Sequence, residues 1–209
     1  NFRLPTHIHS RSANAKWLTE IAHRNPIWIH TKDAERLSVI NGDLLKITTA
    51  IGWFVDKVWV TEAIKPGVVA CSHHIGRWRR QNDEGNRFMT NTVNIKNLGE
   101  GKWKMETISG VEPWKTDDPD TNRIWWRDGG VHQNITHAAN PDPISGAHCW
   151  LQKVSISKPE KGEKYGDIFV DTNKSFKHFK KWNEWAKARE THPGGLRRPL
   201  WMARPLNPQ

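Results

Sequence analysis

The sequence predicts a mainly β domain with short helices, a long insertion and a C-terminal helical basic tail. Two adjacent segments, residues 44–49 and 53–61, alternate between apolar and polar side chains as paired strands do. Residues 75–130 have a different composition, rich in Arg, Asn, Asp, Gly and Trp. Residues 173–190 place aromatic residues at every third position among Lys and Arg, which favours an amphipathic helix.

The elements of the β domain follow one another in residues 26–70. Residues 27–30 form a strand, and Thr31 is a suitable N-cap for a short helix with Asp33 early and Arg36 late. Asn41-Gly42-Asp43 is typical of a tight turn, and Pro66-Gly67 predicts a turn into a buried strand over residues 68–71. Both faces of the strand over residues 53–61 carry apolar residues, which favours a closed barrel covered on its outside.

We expect residues 1–157 to form this β domain, with the insertion over about residues 75–130. Within the insertion, residues 92–95 and 103–108 have strand character and the rest is irregular. Long insertions of this kind in compact domains are usually functional. Residues 158–209 are then a polar linker, the basic helix and an extended tail rich in Pro and Arg.

The positive charge is concentrated near the C-terminus. The chain of 209 residues has a net charge of +10, but residues 174–209 hold nine Lys or Arg against two Glu. A basic, Trp-rich chain is a candidate for binding nucleic acid. The remaining residues carry only a small excess of positive charge, so nucleic-acid binding by the β domain is the less favoured alternative.

Cysteine usage and hydropathy exclude several other classes. Cys71 and Cys149 are too few and too far apart for a zinc or iron–sulfur cluster, and their apolar neighbours predict buried structural thiols. No apolar run is long enough to span a bilayer, and no secretory leader is recognisable. The chain starts at Asn1 without Met, and we expect it to be a piece of a longer chain or a processed product.

Three blocks of residues carry a resemblance to a known family. The first is Thr6-His7-Ile8-His9-Ser10-Arg11-Ser12-Ala13-Asn14, followed by Glu20-Ile21. The second is the strand-rich segment from Pro26 to Ala70. The third consists of Val131-His-Gln-Asn134-Ile-Thr136, Asp142-Pro143-Ile144-Ser145-Gly146, Trp150 and Val154. In this order they resemble the C-terminal molybdopterin-dinucleotide-binding domain of the dimethyl-sulfoxide-reductase family of molybdenum or tungsten oxidoreductases.

The resemblance implies a double-psi β-barrel that holds part of a molybdopterin guanine dinucleotide, usually one of two copies. A pterin and a pyrophosphate need converging hydrogen-bond donors, which small and donor-rich loops provide. The cofactor-binding residues that it implies are His9, Ser10, Arg11, Ser12, His73, His74, Gln133 and Asn134. Arg11 has the alternative of a surface salt bridge, and Asn134 that of stabilising a turn.

His73 and His74 depart from the family pattern, which commonly has an aromatic or Gly-rich stretch at this point. Adjacent side chains on an extended chain point in different directions, so the pair is expected to be a poor joint metal site. No metal ligand is predicted in this chain. The resemblance implies that the molybdenum ligand and a [4Fe-4S] cluster lie elsewhere in the full protein.

The resemblance also implies partners, namely an iron–sulfur electron-transfer subunit together with the remainder of the catalytic subunit. The aromatic band and the Arg/Pro-rich end of the tail favour a protein–protein contact for residues 174–209. A non-catalytic subunit-interaction domain is therefore another alternative. Both a periplasmic complex and a cytoplasmic, membrane-associated complex are compatible with the sequence, and the substrate stays open.

Overall fold

The computed structural model describes residues 2–9, 16–76, 93–107, 117, 130–140 and 147–187. Several predicted features lie outside these residues. They are the predicted contacts Ser10, Arg11 and Ser12, most of the insertion, the segment Asp142–Gly146 and the tail beyond residue 187.

The described residues form a mainly β structure with few helices. The helices are α1 (Lys16–Ile21), α2 (Thr31–Leu37) and α3 (Thr172–Lys187), and a 3₁₀ turn covers Gln133–Thr136. The strands are β1 (Ile27–Ile29), β2 (Leu44–Thr48), β3 (Gly52–Val60), β4 (Val69–Ala70), β5 (Val93–Gly99), β6 (Lys102–Thr107), β7 (Ser155–Ser157) and β8 (Ile168–Asp171). No helix within the described ranges has the length and hydropathy that a membrane span requires.

β3 is the centre of the sheet. It forms the predicted hairpin with β2, pairs in parallel with β1 and pairs antiparallel with β8. The sheet runs in the order β4-β1-β3-β8-β6-β5, and β2 also pairs with β7. Because three strands contact β3, Phe54, Val55 and Val58 are all buried in the core.

The predicted closed barrel is not confirmed. Among the described residues the sheet ends at β4 on one side and at β5 on the other, and no pairing closes it. β4 is also half-buried, in contrast to the buried strand predicted for residues 68–71. Its edge position explains this difference, since only β1 pairs with it.

The insertion contributes to the sheet more than its composition indicates. β5 and β6 form a hairpin whose turn places Gly99, Glu100 and Gly101 at positive φ. β6 then pairs with β8. The sheet therefore includes β8, which lies beyond the domain boundary expected at residue 157. Ile168 and Val170 of β8 are buried together with residues of the core strands.

α2 follows β1 with a cap different from the predicted one. The helix begins at Thr31, and His30 is the N-cap because its Nδ1 accepts a hydrogen bond from the backbone N–H of Lys32. Asp33 in the first turn contacts Arg36 and also accepts a hydrogen bond from the backbone N–H of Gly67. This second contact fixes the turn before β4 against the helix.

The two cysteines are free thiols in different surroundings. Cys71 is buried as predicted, and its Sγ donates to the backbone carbonyl of Asn25. Burial raises the pKa of the Cys71 thiol, and the Asp56 carboxylate raises it further, so the thiol stays protonated. Cys149 is only half-buried, which corrects the expectation that both thiols are buried.

A buried asparagine joins the sheet to two distant segments. Asn25 lies two residues before the start of β1 and is 0% exposed. Its Nδ2 donates to the carbonyls of Ser72 and Val131 at 2.8 and 2.9 Å, and its Oδ1 accepts from the N–H of Val131 at 2.8 Å. A buried amide with three backbone partners is costly to replace. Without it the N–H of Val131 has no partner away from water, while the carbonyls of Ser72 and Val131 each keep a contact from Gln133.

We expect Asn25→Leu to destabilise the chain by about 2–4 kcal/mol. It keeps the volume, but it leaves the buried N–H of Val131 without a partner and removes one donor from each of the carbonyls of Ser72 and Val131. Urea unfolding followed by Trp fluorescence measures the change. Asn41→Leu is the matched control, because Asn41 is exposed and accepts one hydrogen bond, from the N–H of Val60. The loss of stability in Asn41→Leu is expected to stay within about 1 kcal/mol. Equal losses in the two variants would contradict the role given to Asn25.

Candidate functional site

Three histidines meet at one place on the surface. The ring centroids of His73 and His74 lie 4.4 Å apart, and that of His9 lies 5.0 Å from each of them. One ring nitrogen from each residue falls within 4.8 Å of the others. We refer to His9, His73 and His74 as the histidine cluster. Three of the residues predicted to contact the cofactor are thus brought together from segments more than sixty residues apart in sequence.

The N-terminal segment and the loop after β4 are held side by side. Phe2 pairs with Ser72 in a parallel bridge, and the backbone N–H of Leu4 donates to Nδ1 of His74 at 3.2 Å. His9 has a φ of +51°, a left-handed conformation that is uncommon for a residue with a side chain. Such strain is typical of functional positions, where the surrounding structure holds it in place.

A second layer of polar residues supports the histidine cluster. Asn134 Nδ2 donates to the carbonyl of His73 at 3.0 Å, and Gln133 Nε2 donates to Asn134 Oδ1 at 3.1 Å. Gln133 is 2% exposed and also donates to the carbonyl of Ser72. In the structure the predicted contacts Gln133 and Asn134 therefore orient the loop that carries His73. Asn134 keeps one amide hydrogen and one lone pair for a ligand.

His137 extends this layer in a defined tautomer. Its Nε2 donates to Gln133 Oε1 at 2.9 Å, and its Nδ1 accepts from Gln152 Nε2 at 2.5 Å. Burial first, and then the charges of His148 and His73, lower the pKa of His137 to about 4. Both contacts fit a neutral ring, so His137 is a structural histidine at neutral pH.

Trp150 covers the histidine cluster on one side. Its ring is stacked on that of His73, with centroids 4.9 Å apart and planes inclined by 21°. The rings of His148 and His137 contact the same indole in edge-on geometry. Trp150 also borders a cleft of about 390 Å³ whose walls are mainly apolar. The site therefore combines a flat aromatic surface with a group of ring N–H donors.

The electrostatic surroundings of the histidine cluster are positive. Burial first, then the charges of His74, His9 and Arg3, lower the pKa of His73 to about 4. The pKa of His74 is lowered by burial and by the charges of His9, Arg3 and His7. Among the described residues no carboxylate counters these charges. An anionic ligand is the natural complement of such a site.

Part of the sequence matches a known protein family. Residues 1–101 match the model of the molydopterin dinucleotide binding domain. This segment belongs to the molybdopterin dinucleotide-binding domain family. It contains the strand-rich block and all of the histidine cluster, whereas the segment around Asn134 lies beyond the matched residues. The resemblance inferred from the first two blocks is thereby confirmed.

A similar curated protein is the catalytic chain of a putative dimethyl sulfoxide reductase from Halobacterium salinarum. The two sequences are 33% identical over 78 residues, which cover 37% of this chain and 9% of the relative. The chain thus matches about a tenth of the length of that protein.

Several contacts of the site could not be predicted from the sequence. Asn25 is a single polar residue before a strand, and Leu4 contributes only its backbone N–H. Trp150 belongs to the third block of the resemblance, but its stacking on His73 depends on tertiary contacts. The third block indicates Gln133 and Asn134 as site residues, but not their pairing with the loop that carries His73.

We expect Gly76→Ala to destabilise the site more than Gly42→Ala does. Both glycines have φ near +90°, so both variants lose the same conformational freedom. A Cβ at Gly76 would lie 2.2 Å from the backbone N of His132, whereas one at Gly42 would meet nothing within 4 Å. The free energy of unfolding, measured with urea, should fall by roughly 2 kcal/mol or more in Gly76→Ala beyond its fall in Gly42→Ala. Equal effects would mean that the His132 segment moves freely away.

The stability of the chain should decrease as the pH falls from 7 to 5. Burial lowers the pKa of His132 to about 4, although its contact with the carbonyl of Gly76 opposes the shift. In the unfolded chain the pKa is about 6.5, so the unfolded state binds more protons in this interval and gains stability. His132 alone should account for a loss on the order of 1–2 kcal/mol at pH 5.

Urea unfolding at pH 7, 6 and 5 measures this slope. His132→Gln keeps a donor for the carbonyl of Gly76 but has no titrating ring, so its profile should be flatter than that of the unmodified chain. Parallel profiles would contradict the assignment to His132.

Proposed function

We propose that this chain is the cofactor-holding domain of a molybdenum or tungsten oxidoreductase and binds a molybdopterin guanine dinucleotide. The observation that carries the proposal is the position of the histidine cluster within the residues that match the family. The finer architecture, a double-psi β-barrel, belongs to the same proposal.

The residues present fit such a cofactor. His73 Nδ1 is a buried ring nitrogen without a hydrogen-bond partner among the described residues, and a bound ligand would satisfy it. Trp150 offers an aromatic surface to a flat heterocycle. His9, His73, His74 and Asn134 would hold the cofactor, and Ser10, Arg11 and Ser12 are proposed to complete the contact.

When bound, the cofactor supplies the pterin that carries electrons and tunes the metal at which the substrate reacts. The residues of this chain hold and orient it. His74 is fixed by Leu4, and His73 by Asn134 and Trp150, so the donors are positioned before the cofactor arrives. Preorganised donors bind a charged group without the cost of ordering them.

We further propose that the metal ligand, a second dinucleotide and a [4Fe-4S] cluster are held by other parts of the full protein. The protonated, buried thiol of Cys71 supports this, because a metal requires a thiolate. The similarity to a relative of which only 9% is covered also supports it.

We infer that α3 and the tail contact the remainder of the catalytic subunit or an iron–sulfur electron-transfer subunit. Phe176 and Phe179 are 57% and 44% exposed on α3, beside basic residues that include Lys177 and Lys180. Exposed aromatic residues next to positive charge are typical of subunit interfaces.

The full-length protein purified from its native source should contain molybdenum or tungsten together with pterin. Metal analysis by mass spectrometry and fluorescence of the oxidised pterin measure both. His74→Ala should lower the cofactor content several-fold, because it removes a positioned donor. His30→Ala is the matched control, since His30 caps α2 and is not assigned to the site. Absence of both metal and pterin from the unmodified protein would overturn the proposal.

A further inference from the structure

We propose that the histidine cluster binds the pyrophosphate of the dinucleotide and takes up a proton from solvent when the pyrophosphate binds. This inference rests on the proposed function, and it adds a subsite and a pH dependence to it. It concerns His73 and His74 above all, where this chain differs from the usual pattern of the family.

The contact between Leu4 and His74 fixes the tautomer of the ring. Nδ1 of His74 accepts the backbone N–H of Leu4, so a neutral ring must carry its hydrogen on Nε2. The nitrogen that remains for a ligand is therefore a donor. A phosphate oxygen accepts such a hydrogen, whereas a metal ion needs a free lone pair at that atom.

His73 has an unsatisfied nitrogen in a fixed ring. Its Nδ1 is buried without a hydrogen-bond partner among the described residues, and stacking on Trp150 restrains the ring plane. The backbone carbonyl of His73 is held by Asn134, which restrains the loop as well. If the ring takes up a proton, both of its nitrogens become donors, and an anionic oxygen is the partner that favours this form.

The groups that face the cluster are basic on every side described. Arg3, His7 and His9 come from the N-terminal segment. His137 faces His73 from the segment after the 3₁₀ turn, and His148 lies beyond it against Trp150. Without an anion, burial and the positive charge of these groups disfavour the protonated form of His73 and keep its pKa at about 4. A pyrophosphate reverses the balance of charge and raises the pKa of the rings beside it.

A divalent metal ion does not fit the same surroundings as well. It would add positive charge next to Arg3, and it would require His74 to give up its contact with Leu4. The two ligands also differ in the direction of proton movement. A metal displaces protons from histidine, whereas an anion promotes their uptake.

The test uses the full-length protein produced in a host that makes no molybdopterin. The probe is diguanosine pyrophosphate, whose internal pyrophosphate does not titrate near neutral pH, and guanosine is the phosphate-free control. Calorimetry in two buffers of different ionisation enthalpy measures the protons exchanged. We expect proton uptake near pH 6, and we expect the Kd to fall about five- to tenfold between pH 7.5 and 6.0, as for one proton taken up.

Substitutions assign the proton to the cluster. His73→Gln should abolish most of the pH dependence, and His9→Gln, at an exposed position, should reduce it. His30→Gln, outside the site, should leave it unchanged. A Kd that is independent of pH, no binding of the probe, or a pH dependence that survives both His73→Gln and His9→Gln would overturn the inference.

Zinc chloride is titrated in parallel. Tight zinc binding with proton release, lost in His74→Gln, together with no proton uptake by the probe, would identify a metal site instead. Molybdenum and pterin in the native protein are measured separately. If they are present while the probe binds without proton uptake, this inference fails and the proposed function stands; if they are absent, the proposed function itself fails.

Discussion

The position of the whole site depends on the buried amide of Asn25. This side chain bonds to Ser72 and to Val131, which are 47 and 106 residues away in sequence. Ser72 is followed at once by His73 and His74, and Val131 by the turn that carries Gln133 and Asn134. These two loops have no strand pairing to each other among the described residues. Asn25 holds them in register from one side, and the contacts of Gln133 with Ser72 and of Asn134 with His73 join them directly. The geometry of the histidine cluster follows from that register.

The site is built from neutral donors in a positive field. Burial lowers the pKa of His73 and of His74, and neither has an acidic partner among the described residues, so these two rings are not held in the charged form before a ligand binds. A cluster of Lys or Arg would carry its charge at all times and would repel itself in the folded protein. Imidazole rings avoid this cost and still offer hydrogen bonds to an anion.

The regular β elements were predictable because their side chains alternate locally. β2 and β3 follow the period of two, and Asn41-Gly42-Asp43 contains the residue that the turn needs at positive φ. β8 has only four residues after a polar segment, so its place in the sheet depends on Phe54 and Met105 in distant strands. Local periodicity contains no information about such partners.

The family resemblance indicates several residues that the structure brings together, but it does not indicate their arrangement. His9, His73, His74 and Asn134 were identified through the family resemblance. The rings of His73 and His74 were expected to point apart, as on an extended strand, but these residues occupy a bend, and their rings meet. Asn25 could not be predicted, because a single asparagine before a strand has no local signature. Its role exists only once Ser72 and Val131 are adjacent.

The place of β8 in the sheet has a consequence for folding. β3 pairs along Gly52–Phe54 with Ile168–Val170, so this part of the sheet cannot form until more than a hundred further residues are available. Loop closure over such a sequence separation is slow, and a strand edge that is still unpaired is prone to aggregate. During synthesis the matched segment, residues 1–101, would emerge from the ribosome with that edge exposed. Until β8 is complete, this edge of β3 is therefore open to pairing with other chains.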